Sequence, residues 1–197
     1  MKDLPTNLQD YSGEYIPELQ YENLSKQTLV KLARQYSKLL VAIDGIWNNV
    51  VAKEVGFEKA LDWETEVWER YYALDLPRIA EILNIQGDDV VTALKLMQFT
   101  PDGYNTGGQY VADIDVRSKN DVIFTIARCR TLEYFERHGH DYSIKRICCK
   151  GGVEELAFKK YTQFFNPNIQ VTGLKLPPRK SPDDIACQWE FKLEPKA

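Results

Sequence analysis

The chain has 197 residues, with 25 Lys and Arg against 29 Asp and Glu, a formal net charge of −4. Its 44% hydrophobic and 12% aromatic content excludes a disordered chain and suits one folded unit with a real core. No dense Lys/Arg cluster is present to track phosphates, and no apolar run has membrane-spanning length.

Residues 1–24 are rich in Pro, Tyr and Asn without helical periodicity and read as an irregular arm, carrying Tyr11, Tyr15, Ile16 and Tyr21. A long helix follows from Ser25 to Glu54. Leu29, Ala33, Tyr36, Leu40, Ile43, Trp47 and Val50 recur at spacings of four and three, widened by Leu32, Leu39 and Val51. Such a face is expected to sit in the middle of the core, with the rest of the chain wrapped around it. Ser25 suits the N-cap and Gly56 the residue just past the end. Inside the helix, Asp44 is expected on the edge of the core-facing side. Gly45 costs about 1 kcal/mol against Ala there, which implies a close approach to the backbone.

A second helix is expected from Glu58 toward Tyr72, and a separate short one, Arg78 to Leu83, with Pro77 in its first turn. Asp88 precedes a third helical unit, Val90 to Phe99. The run from Pro101 to Gly108 is a boundary, after which the period changes to two. Tyr110 to Arg117 and Val122 to Arg128 alternate and predict a β-hairpin. Arg130 to His138 reads as a short helix stopped by Gly139. Ile144 to Cys149 is ambiguous, with an extended run as one reading. Gly152 to Phe165 is an amphipathic helix, and Ile169 to Leu176 and Ile185 to Leu193 read as strands. The expected class is α+β: an N-terminal helical layer packed on a mostly antiparallel four-stranded sheet, with one or two intervening helices. Residues 25–197 form a single domain in this reading, with a helical half at 25–100 and a sheet half at 109–193.

Candidate chemistry lies in a few groups. Asp44 beside Trp47 suits acid/base work or ligand binding if partly desolvated. A hydrogen bond to a neighbouring helix is the plainer role. Asn48 lies one turn on, and Glu64 and Trp68 on the second helix are placed to face Asp44. The aromatic surplus suits a core or a wall for a flat ligand. Cys129, between Arg128 and Arg130 at a strand-to-helix junction, and Cys149, ahead of Lys150 and another helix, are candidate reactive thiols. Cys187 shares a face with Trp189 and Phe191 and reads as core. A zinc set of Cys129, His140, Cys149 and Cys187 can be drawn, but it lacks tight C-x-x-C pairs, so no cofactor is expected. No nucleotide-binding glycine fingerprint of NAD or ATP sites is present.

Asp44-Gly45-Ile46-Trp47, Val67-Trp68, Cys129-Arg130-Thr131, Cys149 and Cys187-Gln188-Trp189-Glu190-Phe191 occur in this order. In these pieces the chain resembles the L-2-amino-thiazoline-4-carboxylic acid hydrolase-like family and its uncharacterised bacterial relatives, over roughly one domain from Leu29 to Leu193. Near Pro177-Pro178, where those relatives often carry an additional Cys, this chain has Lys175 and Leu176. The resemblance implies hydrolytic opening of a cyclic amidine-like C–N bond. The C-terminal pattern is also similar to the small-molecule-binding domain of 4-vinyl reductase, which implies a non-catalytic binding or sensing domain instead. A structural subunit is the third reading. On the hydrolase reading Asp44, Cys129 and Cys149 are the catalytic candidates, and Trp47, Asn48, Glu64 and Trp68 contact substrate. The expected partner is a small-molecule ligand, with neither nucleic acid nor membrane; a homodimer is compatible with the sequence. With no signal peptide to be seen, a cytoplasmic location is expected.

Overall fold

A computed structural model describes residues 4–104, 109–148 and 150–194. The fold is α+β, with helices leading into a four-stranded antiparallel sheet. The helices are α1 (Lys26–Val55), α2 (Phe57–Ile82), α3 (Val90–Met97), α4 (Arg130–His138), α5 (Asp141–Ile147) and α6 (Val153–Phe165). The strands are β1 (Tyr110–Ser118), β2 (Asp121–Cys129), β3 (Gln170–Lys175) and β4 (Cys187–Lys192), in sheet order β1-β2-β4-β3.

Local signals explain most of these boundaries. Ser25 Oγ accepts the Thr28 N–H at 3.1 Å and starts α1. Gly56, at φ +83°, turns the chain between α1 and α2. Gly139 ends α4 in the left-handed conformation. The hairpin pairs Ile114 with Phe124 and Val116 with Val122. The arm is held at Leu8, whose N–H and C=O bond Asn23 and Ser25 at 2.9 Å each. Its tyrosines 11, 15 and 21 stay exposed.

Two element expectations are corrected. Pro77 does not begin a separate helix but lies inside α2. Its missing N–H leaves the Ala73 carbonyl without its helical partner, and both residues are exposed, so water can satisfy that group. Meanwhile the inward side of α2, Leu61, Glu64, Tyr72, Leu76 and Ala80, continues without interruption. The ambiguous stretch at 144–147 belongs to a short helix, α5, that buries Ser143 and Ile144.

The core is one continuous cluster through α2, α3, α6 and the sheet. Val122, Phe124 and Ile126 of β2 lie in register with Phe191, Trp189 and Cys187 of β4. Phe158 of α6 packs edge-on against Trp189, ring centres 5.1 Å apart. Helix α1 is not its centre, contrary to expectation. Its only buried residues are Ser37 and Asn48, while Tyr36, Leu39, Ile43, Ile46, Trp47 and Val50 are exposed. The reason is position. Helix α2 lies between α1 and the core, and α1 packs to any extent only on α2. The side α1 turns inward is Ser37, Val41, Asp44, Asn48, Val51 and Val55, all buried or half-buried.

Candidate functional site

That inward side of α1 forms one wall of a cavity of about 510 Å³, a size typical of small-molecule sites. Helix α2 contributes Glu64, Trp68 and Tyr72; the loop after α3 contributes Asp102; β1 contributes Tyr110. The opposite wall comes from α4, α5 and the first turn of α6, which carries Glu154. A more open polar concavity of about 780 Å³, between α6 and β3, brings no group of buried acids together.

Four carboxyl groups far apart in sequence line this cavity. Asp44 Oδ1 accepts the indole N–H of Trp68 at 3.1 Å. Glu64 Oε2 accepts from Asn48 Nδ2 at 2.6 Å. Asp44 and Glu64 are also within hydrogen-bonding reach of each other. Burial pushes Glu64 up to about 8, reinforced by the charge of Asp44 and only partly offset by Asn48. Asp44 is raised too, by burial, against the hydrogen bonds from Glu64 and Trp68. Two carboxyls this close cannot both ionise readily, so the pair holds a proton.

Behind them, Asp102 accepts from Tyr161 Oη at 2.5 Å and from Tyr72 Oη at 2.9 Å. Burial raises its pKa in spite of both hydroxyls. The loop that presents it needs Gly103, because a Cβ there would stand 2.0 Å from the Met97 carbonyl oxygen. Glu154 accepts from Tyr110 Oη at 2.9 Å. Burial and the neighbouring Asp102 lift Glu154 to about 7 against that bond. The cations that line the cavity, Lys38, Arg130 and Arg137, are all exposed, and the half-buried Glu133 lines it too. The buried polar lining is acidic, and the lining cations are exposed.

Of the residues the sequence singles out, Asp44, Asn48, Glu64 and Trp68 come together here. Trp47 does not: it lies on the outward side of α1, 37% exposed, and is no part of the wall. Gly45 borders the cavity, but no backbone approaches it; a Cβ there would meet nothing within 4 Å. Cys129 is buried at the start of α4, and its thiol is pushed up to about 12. Desolvation and the charge of Glu154 outweigh the helix N–H groups of Thr131 and Leu132. Arg128, which should have favoured a thiolate, is turned to Glu133 at 2.8 Å. The reactive-thiol expectation for Cys129 is therefore corrected. Cys187 is buried beside Trp189, and burial raises its thiol as well. Cys149 lies outside the described residues. Among the described residues, no three His, Cys, Asp or Glu side chains stand together as a metal site. No described helix is long and apolar enough to cross a membrane.

Sequence reasoning missed Asp102, Glu154, Tyr72, Tyr110 and Tyr161. Asp102 lies in a run that reads as a boundary, and Glu154 in a helix first turn where acids are ordinary. The available signal was an acid between Pro101 and Gly103, directly after an apolar helix.

The sequence profile of a family of unknown function (DUF6125) matches residues 22–193. No curated protein and no solved structure matches the chain.

Proposed function

We propose a function from the cavity, because the chain belongs to the DUF6125 family, a family of unknown function. The cavity holds a small planar ligand by a cationic, amidine-like nitrogen at its buried acidic floor and by an anionic group at the exposed lining cations. The observation that carries this reading is the convergence of Asp44, Glu64, Asp102 and Glu154 on one cavity whose lining cations are all exposed. Buried carboxyls without cationic partners are costly, and a bound cation offsets that cost. Trp68 adds a flat surface beside Asp44.

The reaction that suits this floor is hydrolysis of a cyclic amidinium, as the thiazoline-type resemblance implies. The pair shares one proton; in this mechanism Asp44 is the base and Glu64 carries that proton as the acid. The oxygen of water bonds the amidinium carbon while its proton passes to Asp44. The proton of Glu64 goes to the ring nitrogen as the ring C–N bond breaks. The new hydroxyl returns its proton to Glu64, leaving an amide-type carbonyl, and the proton on Asp44 departs with the freed amine. No thiol takes part in these steps.

The test is Asp44→Asn, which keeps the shape and removes the charge. Wild-type protein should be stabilised against heat by 2-amino-thiazoline-4-carboxylate or a similar cyclic amidine acid, and should open its ring. Asp44→Asn should fold with little change in stability and lose both responses. A wild-type thermal shift without turnover would make the site a binding module. No shift with any cyclic amidine, together with loss of several kcal/mol in Asp44→Asn, would make Asp44 structural and end this reading.

A further inference from the structure

The outward side of α1 carries a pattern that a lone chain leaves largely exposed, with Leu29 and Leu32 half-buried and the Tyr36 hydroxyl 3.2 Å from that of Tyr21 in the arm. Leu29, Leu32, Tyr36, Leu39, Ile43, Ile46 and Val50 follow one another at strict spacings of three and four. This is the a/d seam of a coiled coil. Tyr36, Leu39, Ile43, Ile46 and Val50 are 51–59% exposed. The positions flanking the seam, Ala33, Gln35, Leu40, Ala42, Trp47 and Asn49, carry no charge. The charged residues Lys31, Arg34 and Lys38 lie off it.

We propose that this seam is a dimer interface, occupied by α1 of a second copy of the chain running antiparallel. A fully exposed large side chain presents on the order of 200 Å². Tyr36, Leu39, Ile43, Ile46, Trp47 and Val50, each about half exposed, then offer roughly 600 Å² per copy, the lower end of the roughly 600–1,000 Å² per partner of a standard interface. A period of seven held without drift is the mark of a helix partner, because a flat surface selects the 3.6-residue period. A net charge of −4 also weighs against an anionic lipid surface. The antiparallel arrangement pairs an a position with a d position in every layer: Leu32 with Val50 of the copy, Tyr36 with Ile46, and Leu39 with Ile43. It also keeps Lys26, Lys31, Arg34 and Lys38 of the two chains at opposite ends. The other side of the same helix carries Asp44 and Asn48, so the second copy braces a cavity wall that otherwise packs mainly on α2.

Sedimentation of the full chain should give twice the 22.8 kDa of one copy at micromolar concentration. Leu39→Glu and Ile43→Glu each place a charge on a side chain that is exposed in the single chain and does not line the cavity, so the fold should persist by circular dichroism. Each should weaken the dimer by roughly tenfold or more. Mixed Tyr36→Cys and Ile46→Cys chains should cross-link to each other on oxidation, which reads the interface even if a glutamate variant fails to fold. A wild type that sediments as one copy overturns the proposal, and its flotation with phosphatidylglycerol vesicles would assign the seam to a membrane instead. A dimer that both glutamate variants leave intact overturns it as well. Tyr36→Cys cross-linking chiefly to itself overturns the antiparallel arrangement.

Discussion

Asn48 Nδ2 stands 2.6 Å from Glu64 Oε2, joining α1 to α2 inside the cavity wall. Both residues are buried. Asn48→Ala leaves the Glu64 carboxyl without its donor, at a cost of about 1–3 kcal/mol. It should also raise the pKa of Glu64 further, because Asn48 lowers it. Urea midpoints and a carboxyl titration followed by NMR are the measurements. An unchanged Glu64 titration would mean that this bond does not form in solution.

Stability should fall as pH rises from about 5 to 8. The ordinary value for Glu64 is 4.5, and in the fold it is pushed up to about 8. Between those values the folded chain keeps a proton that the unfolded chain has released. Stability therefore drops by up to about 1.4 kcal/mol per pH unit for one such group, and the loss levels off above the folded pKa. Glu154, lifted to about 7, and the raised Asp44 and Asp102 act in the same direction. Urea melts across this range check the slope, and Glu64→Gln should reduce it, leaving the part from the other raised carboxyls. A wild type that gains stability from pH 5 to 8 contradicts the protonated floor.

Gly45→Ala should stabilise the free protein by about 0.5–1 kcal/mol, because the helix gains a better former where a Cβ has open space. The same methyl group projects at the edge of the cavity. Any ligand seated against α1 should bind more weakly to this variant. Thermal melts with and without ligand separate the two effects. Weaker stability without ligand would show that Gly45 has a neighbour in solution.

Cys129 should resist alkylation in the native protein. Its thiol is buried and pushed up to about 12, so the thiolate fraction at neutral pH is negligible. Iodoacetamide labelling with mass mapping should show Cys129 and Cys187 modified only under unfolding conditions. Rapid native labelling of Cys129 would restore it as a candidate nucleophile.

Removing one donor from Asp102 should be costly. Tyr161→Phe takes away a 2.5 Å hydroxyl bond and leaves Tyr72 as the remaining tyrosine donor. A loss of about 1–3 kcal/mol is expected, with Tyr72→Phe similar and the double variant non-additive. Strict additivity in chemical denaturation would argue that the two hydroxyls act on Asp102 independently.

Most elements were legible in the sequence because their causes are local. The alternation in Tyr110–Arg117 and Val122–Arg128 makes a hairpin wherever it is placed, and Gly139 stops α4 by its own backbone freedom. The inward face of β4 follows from the period of two through Cys187, Trp189 and Phe191. Asp44, Asn48, Glu64 and Trp68 could be grouped because one turn separates each pair and the two helices are joined at a single glycine.

The direction in which α1 faces was decided only by tertiary structure. Its larger apolar stripe implies burial by transfer free energy alone. Helix α2, however, already closes the core and meets α1 through Asn48 and Asp44. The strongest apolar pattern in the chain therefore points outward, and Trp47 with it. The cysteine chemistry was equally invisible, since the order of Arg128, Cys129 and Arg130 does not tell whether a thiol is solvated. Asp102 and Glu154 reach the site through a loop and a helix first turn whose own sequences read as surface. Only the packing of α6 and the Gly103 turn against α2 brings those acids into one cavity with Asp44 and Glu64, because which side chains lose their water depends on contacts that no local period encodes.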